Sequence, residues 1–158
     1  MHPAALAPVR DSWALLAPRA AAVAADFYAR FVAIAPDAAP LFAHVDPAAQ
    51  HRKFADTLVA LVRVAEDPAA LVNEGALHGR RHARYGATDA HYDAARAALL
   101  QALEAALGDD FTPATREGWT ELYALVTAVM RRAATTAAVT PRAQGAAARP
   151  VVSPTRTE

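Results

Sequence analysis

The chain has 158 residues, of which 54% are apolar, and its 16 basic and 16 acidic side chains leave no formal net charge. A chain of this length can bury one hydrophobic core, and its balanced charge argues against a nucleic acid or a membrane surface held by bulk electrostatics. Because it contains no cysteine, it can form neither a disulfide nor a thiolate metal site.

The chain begins without the charged and apolar regions of a signal peptide. Charged residues also interrupt every apolar stretch before it becomes long enough to cross a bilayer. We therefore expect a cytoplasmic protein that has neither a membrane nor a nucleic acid as its partner.

Apolar residues recur at spacings of three and four along most of the chain, which predicts an all-α protein. The predicted helices cover about residues 5–17, 19–35, 47–65, 68–84, 89–107 and 113–134, with a short turn from Pro36 to Phe42.

Capping signals mark where these helices begin and end. An N-cap residue followed by proline opens three of them, and prolines or glycines interrupt or follow helical runs. The start signals are Asp46-Pro47, Asp67-Pro68 and Thr112-Pro113, with Thr88 and Asp89 before a fourth helix, and the stop signals are Pro18, Pro36, Gly86 and Gly108.

Two apolar stripes at helical spacing predict the core. The first consists of Phe54, Leu58, Leu61, Val62 and Ala65, and the second of Leu99, Leu100, Leu103 and Leu107, continued by Trp119, Leu122, Tyr123, Val126 and Met130. Residues 135–158 are rich in Ala, Pro, Thr and Arg and show no periodicity. We therefore expect a folded domain over residues 1–134 and a disordered tail over 135–158.

Several catalytic motifs are absent from the sequence: a glycine-rich phosphate loop, a nucleophile elbow and a His-Glu-x-x-His zinc motif. His78 and His82 are spaced i, i+4, but no third zinc ligand is evident. His82 lies near a predicted helix end with cationic neighbours, as an axial ligand of haem iron would. A single histidine is nevertheless more often a surface or hydrogen-bonded residue.

Four groups of residues change that interpretation through their order and spacing. They are Val9-Arg10-Asp11-Ser12-Trp13; Phe27-Tyr28-Ala29-Arg30-Phe31 followed by Pro36-Asp37 and Pro40-Leu41-Phe42; Gly79-Arg80-Arg81-His82 with Tyr85-Gly86; and the run from Leu107 to Arg116 followed by Trp119 and Leu122-Tyr123. From Val9 to Met130 the chain resembles the globins, specifically bacterial single-domain globins related to the haem domain of flavohaemoglobins and to neuroglobin.

The resemblance implies a three-over-three helical sandwich that binds haem b. His82 matches the proximal histidine that binds iron, and Tyr28 matches the distal tyrosine. An ungapped match places Gln50 as the second distal residue. The remaining haem contacts that the resemblance assigns are Phe42, Lys53, Phe54, Arg81 and Tyr92.

Some positions are open or depart from the family pattern. A small rotation of the helix after Pro47 would bring His51 to the iron instead of Gln50, giving two axial histidines as in neuroglobin. His78 stands where an apolar haem contact is usual, and is either a haem-edge residue or hydrogen bonded locally. Ala87 is small where a valine or isoleucine is common in the family, which predicts a looser proximal pocket. In flavohaemoglobins a tyrosine and a glutamate support the proximal histidine. Tyr92 matches the tyrosine, whereas the glutamate position falls near Ala134 and that partner is missing.

The resemblance implies reversible oxygen binding, for transport or storage, because Tyr28 and Gln50 are both hydrogen-bond donors toward a bound ligand. One alternative is a nitric oxide dioxygenase; with no reductase domain after residue 134, it would need an external reductase. The other is a bis-histidine sensor or electron-transfer globin. The expected small ligand is O2, with NO and CO as further candidates.

Overall fold

The computed structural model describes residues 3–139, and the side chains of residues 5–136. The described residues form six α-helices and no strand, which confirms the predicted all-α fold. The helices are α1 (Pro3–Leu16), α2 (Ala20–Ile34), α3 (Pro47–Val64), α4 (Pro68–Tyr85), α5 (Asp89–Leu107) and α6 (Pro113–Val139). Short 3-10 turns cover Ala17–Arg19, Pro36–Phe42 and Gly108–Asp110.

The predicted caps hold the helix ends. Asp46 accepts a hydrogen bond of 2.8 Å from the Ala49 amide, which satisfies one of the free N–H groups at the start of α3. Asp67 does the same for the first turn of α4. At the end of α4, Gly86 has a φ of 83°, a left-handed conformation that glycine adopts without strain. His82 therefore lies one turn before a sharp helix stop.

The last helix is longer than the sequence predicts, since α6 continues to Val139 rather than ending near 134. Its final turns are rich in alanine, the best helix former. The hydroxyls of Thr135 and Thr136 donate to backbone carbonyls four residues earlier, each at 3.0 Å, so both side chains are hydrogen bonded within the helix. The rest of the predicted tail, residues 140–158, lies outside the described residues.

The helices pack in crossed pairs around one core. α4 runs against α6, α2 against α5 and α3, and α1 crosses α6. Both predicted stripes face this core, where Trp119 and Leu103 are almost completely buried. Trp119 Nε1 also donates a hydrogen bond of 2.9 Å to Ser12 Oγ, and the Ser12 hydroxyl donates to the Val9 carbonyl. These buried polar groups between α6 and α1 are therefore hydrogen bonded.

The contact between α4 and α6 is unusually close at Gly79. A Cβ atom added there would lie 2.3 Å from the Met130 carbonyl oxygen, well inside van der Waals contact. At Gly75 the nearest atom is instead a side-chain methyl of Val129, at 2.9 Å. The absence of side chains at these two positions lets the helix that carries His82 lie directly against the backbone of α6.

We expect Gly79→Ala to destabilise the fold by about 1–3 kcal/mol, because the added methyl must push two helices apart. Gly75→Ala should cost less, because the nearest atom belongs to the Val129 side chain and not to the backbone. Adding Val129→Ala should relieve the clash at Gly75. Urea unfolding measures both free energies. If Gly79→Ala were as stable as the native protein, or more stable through its better helix propensity, the close approach would not constrain the packing.

Candidate functional site

A cavity of about 380 Å³ lies among the helices. That volume is in the range of small-ligand and cofactor pockets. Most of its wall is apolar or aromatic: Phe27, Phe31, Leu41, Phe42, Phe54, Leu58, Leu61, Leu99, Trp119, Leu122, Val126 and Met130. The polar groups that reach it include Tyr28, Gln50, Lys53, His78, Arg81, His82 and His91.

His82 lines this cavity from the last turn of α4. Its Nδ1 lies 2.8 Å from the His78 carbonyl oxygen, to which a protonated Nδ1 donates, so Nε2 is the nitrogen left with a free lone pair. Burial lowers the pKa of His82, and the positive charge of Lys53 acts in the same direction. The imidazole is thus neutral near pH 7, the form that coordinates a metal.

Tyr92 from α5 packs beside this imidazole. The two ring centroids are 6.1 Å apart and the ring planes differ by 30°. Tyr85, three residues after His82 on α4, is 6.3 Å away but 56% exposed. The buried neighbour of His82 is therefore Tyr92, at the position where the resemblance places a supporting tyrosine.

Tyr28 and Gln50 meet at the same cavity. Gln50 Nε2 donates a hydrogen bond of 2.7 Å to the Tyr28 hydroxyl oxygen, joining α2 to α3. The Tyr28 hydroxyl is an acceptor in this bond, so its own proton is free to be donated elsewhere. Burial raises the pKa of Tyr28, which keeps the hydroxyl protonated at neutral pH.

His51 is placed differently from Gln50. Its ring packs on that of Tyr28, with centroids 5.5 Å apart, but it is not among the residues that line the cavity. One step along a helix turns the side chain by about 100°, which separates the directions of these two neighbours.

Phe42 and Phe54 complete an aromatic wall around Tyr28. Phe42 meets Tyr28 edge-on at 5.3 Å, while Phe54 stacks on Phe27 at 4.2 Å. Such contacts fix ring positions in addition to burying apolar area. The hydroxyl of Tyr28 is thereby held in one direction by its ring neighbours as well as by Gln50.

Lys53 and Arg81 are the cations at the edge of the cavity, from α3 and α4 respectively. Both are exposed while still lining it, so their charged ends reach solvent. They can hold carboxylates at that edge. His78 also lines the cavity: its Nε2 is 3.9 Å from a Glu74 carboxylate oxygen, and burial lowers its pKa. Ala87 is a further lining residue.

Sequence reasoning missed His91, which is buried in the cavity wall. Its Nε2 lies 3.0 Å from Asp37 Oδ2, and its Nδ1 accepts a bond from the Thr88 amide. It therefore ties the turn that carries Phe42 to the start of α5. A capping box could have revealed it in the sequence, because His91 is the third residue after the Thr88 cap, where a side chain can bond to the backbone of the cap residue.

Neither a protein metal cluster nor a membrane-spanning helix is found among the described residues. In residues 3–139 no three His, Cys, Asp or Glu side chains come together in a way that could hold a metal ion. Within the same range, no helix combines the length and the apolar character needed to cross a membrane.

A helical fold with an apolar cavity, lined by an imidazole whose Nδ1 is bonded to a backbone carbonyl, defines a candidate haem protein, and the comparisons with known proteins agree. The family model described as Globin matches residues 25–130, and the chain belongs to the globin family. It is similar to the anaerobic nitrite reductase HBII of Casuarina glauca, with 25% identity over 137 residues, covering 78% of this chain and 86% of that protein. Membership of this family implies a haem cofactor and small gas ligands such as O2.

The residues of the cavity fit a haem. Its wall supplies apolar and aromatic contacts for a flat macrocycle, and the cations at its edge suit carboxylates. His82 offers a neutral imidazole whose other nitrogen is already bonded to a carbonyl, the arrangement typical of metal-binding histidines.

Proposed function

We propose that this protein binds oxygen reversibly, with haem b held in the cavity by His82 and the ligand stabilised by Tyr28 and Gln50. The observation that carries this proposal is the 2.7 Å hydrogen bond between Gln50 and Tyr28 in the cavity that His82 lines. That bond leaves the Tyr28 proton available for a ligand. Oxygen transport or storage is the physiological role that such a pocket would serve.

The other residues of the cavity have simpler roles in this proposal. Phe42 and Phe54 pack on the macrocycle, and Lys53 and Arg81 hold its carboxylates at the cavity edge. Haem iron supplies reversible coordination of a diatomic ligand. His82 would hold the iron, the apolar wall would exclude water, and Tyr28 and Gln50 would donate hydrogen bonds to the ligand.

Absorption spectra of the ferric, ferrous and CO-bound forms test this proposal. A Soret band should appear when the purified protein is supplied with haem; its absence would overturn the proposal altogether. The ferrous protein without ligand should be five-coordinate, because Gln50 and not His51 lines the cavity. His51→Ala should leave that spectrum unchanged. A six-coordinate low-spin ferrous spectrum that His51→Ala abolishes would instead support the bis-histidine sensor or electron-transfer globin.

A nitric oxide dioxygenase is the second candidate, favoured by the same pair of donors on α2 and α3. That reaction would join both atoms of O2 to NO as nitrate, and each turnover would need one electron from an external reductase. Stopped-flow mixing of the oxygenated protein with NO, followed by turnover with a reductase, separates the candidates. Stoichiometric oxidation without turnover favours oxygen binding. Because the chain is similar to an anaerobic nitrite reductase, mixing the reduced, oxygen-free protein with nitrite is a separate assay for that activity.

The cellular setting is also a proposal. We infer a cytoplasmic location and a separate reductase partner from the sequence. Fractionation of cells that express the protein tests the first of these.

A further inference from the structure

The ring of Tyr92, which flanks His82, is held from α6. Tyr123 donates a hydrogen bond of 2.7 Å to the backbone carbonyl of Tyr92. The guanidinium of Arg131 lies 5.3 Å from the centroid of the Tyr92 ring. Tyr123 and Arg131 are about two turns apart on one face of α6. One helix therefore fixes both the backbone and the ring of the tyrosine.

Arg131 is itself clamped by two carboxylates of α5. Its Nε lies 2.9 Å from Asp89 Oδ1, and its Nη2 lies 3.4 Å from Asp93 Oδ1 and 3.3 Å from the Asp89 carbonyl. Nε is buried and has no hydrogen-bond partner, so its contact with Asp89 is a charge contact off the N–H direction. Asp89 precedes Tyr92 and Asp93 follows it, so the guanidinium spans the turn that carries the tyrosine.

We propose that Arg131 is a positioning residue: it holds the Tyr92 ring against His82 and so fixes the rotation of that imidazole. This inference rests on the proposed role of His82 as the iron ligand. The hydrogen bond from Nδ1 to the His78 carbonyl holds one edge of the imidazole but allows the ring to rotate about that edge. The buried ring of Tyr92 limits this rotation.

Arg131 lies one turn before Ala134 on α6, the position near which the family resemblance leads one to expect a glutamate. Alanine stands near the expected position of that glutamate, and the charged side chain of α6 beside Tyr92 is the cation of Arg131. A guanidinium has no acceptor, so Arg131 cannot take the imidazole N–H, which stays with the His78 carbonyl. Burial raises the pKa of Tyr92, and the Arg131 charge opposes that rise, as expected for a cation close to the ring.

The iron–histidine stretching band of the ferrous protein, measured by resonance Raman spectroscopy, tests the proposal. Arg131→Met keeps the aliphatic stem but removes the charge. It should shift and broaden the band, because the imidazole then samples several rotations. Arg116→Met is the matched control: Arg116 lies over Phe111 at 4.8 Å and pairs with Glu104 at 2.8 Å, and neither Arg116 nor its partners line the cavity. The control should keep the native band.

A milder change covers the case in which Arg131→Met does not fold. Asp89→Asn with Asp93→Asn releases the clamp through two exposed side chains and should shift the band in the same direction by less. A native band in both variants would overturn the positioning role alone, provided that His82→Ala abolishes the band. If the unsubstituted protein shows no band that depends on His82, the proposed ligand fails and this inference fails with it.

Discussion

His82→Ala is expected to abolish stable haem retention. The cavity then has no imidazole with its second nitrogen bonded to a backbone carbonyl, and its remaining contacts with a macrocycle are apolar or at the edge. Haem added to this variant should dissociate during gel filtration, with loss of the Soret band from the protein fraction. His82→Gly should recover the band when free imidazole is supplied, because the deleted ring leaves space for it.

The matched control for this loss is His78→Ala. His78 lines the same cavity one turn earlier, and the substitution keeps the backbone carbonyl that holds His82. Haem retention should therefore survive it. If His82→Ala bound haem with an unchanged spectrum while His78→Ala did not, His78 would be the ligand and the proposed site would be wrong.

Tyr28→Phe is expected to speed oxygen release by roughly tenfold to a hundredfold. The substitution removes one hydroxyl from a ring that Phe42 and Phe54 hold in place, so the shape of the cavity is kept. A hydrogen bond to a charged acceptor contributes roughly 1.5–3 kcal/mol, which corresponds to that range of affinity. Stopped-flow displacement of oxygen by excess CO measures the release rate.

Tyr85→Phe is the control, since Tyr85 also lines the cavity but is 56% exposed and has no partner comparable with Gln50. Its release rate should match that of the unsubstituted protein. Gln50→Leu should speed release as well, because it removes the second donor and the bond that orients Tyr28. An unchanged rate in Tyr28→Phe would mean that the hydroxyl does not reach the ligand.

Most of the fold could be predicted from local signals, because these act over a few residues. Asp46, Asp67 and Thr88 each cap a helix that the sequence places correctly. The end of α6 was placed too early, because the residues after Met130 lack an apolar period, while their alanines still favour a helix. Apolar periodicity reports which face of a helix is buried, and Thr135 and Thr136 are exposed.

In the candidate site, the residue positions could be predicted from the sequence, but the choice between two neighbours could not. The positions of His82, Tyr28, Gln50 and Phe42 were predicted, and all four line one cavity. The choice between Gln50 and His51 depends on the rotation of α3, which the sequence leaves open by one residue. Packing of α3 against α2 sets that rotation and brings Gln50 to the Tyr28 hydroxyl.

The sequence by itself determined the helices, the family resemblance and the identity of one imidazole near a helix end. These follow from spacing and capping, which are properties of neighbouring residues. Only the tertiary structure decided that Arg131 lies over Tyr92 and that His91 meets Asp37. Both contacts join residues far apart in the chain, and no local pattern encodes them. The close approach at Gly79, which places α4 against α6, belongs with them, since it depends on where two helix backbones meet.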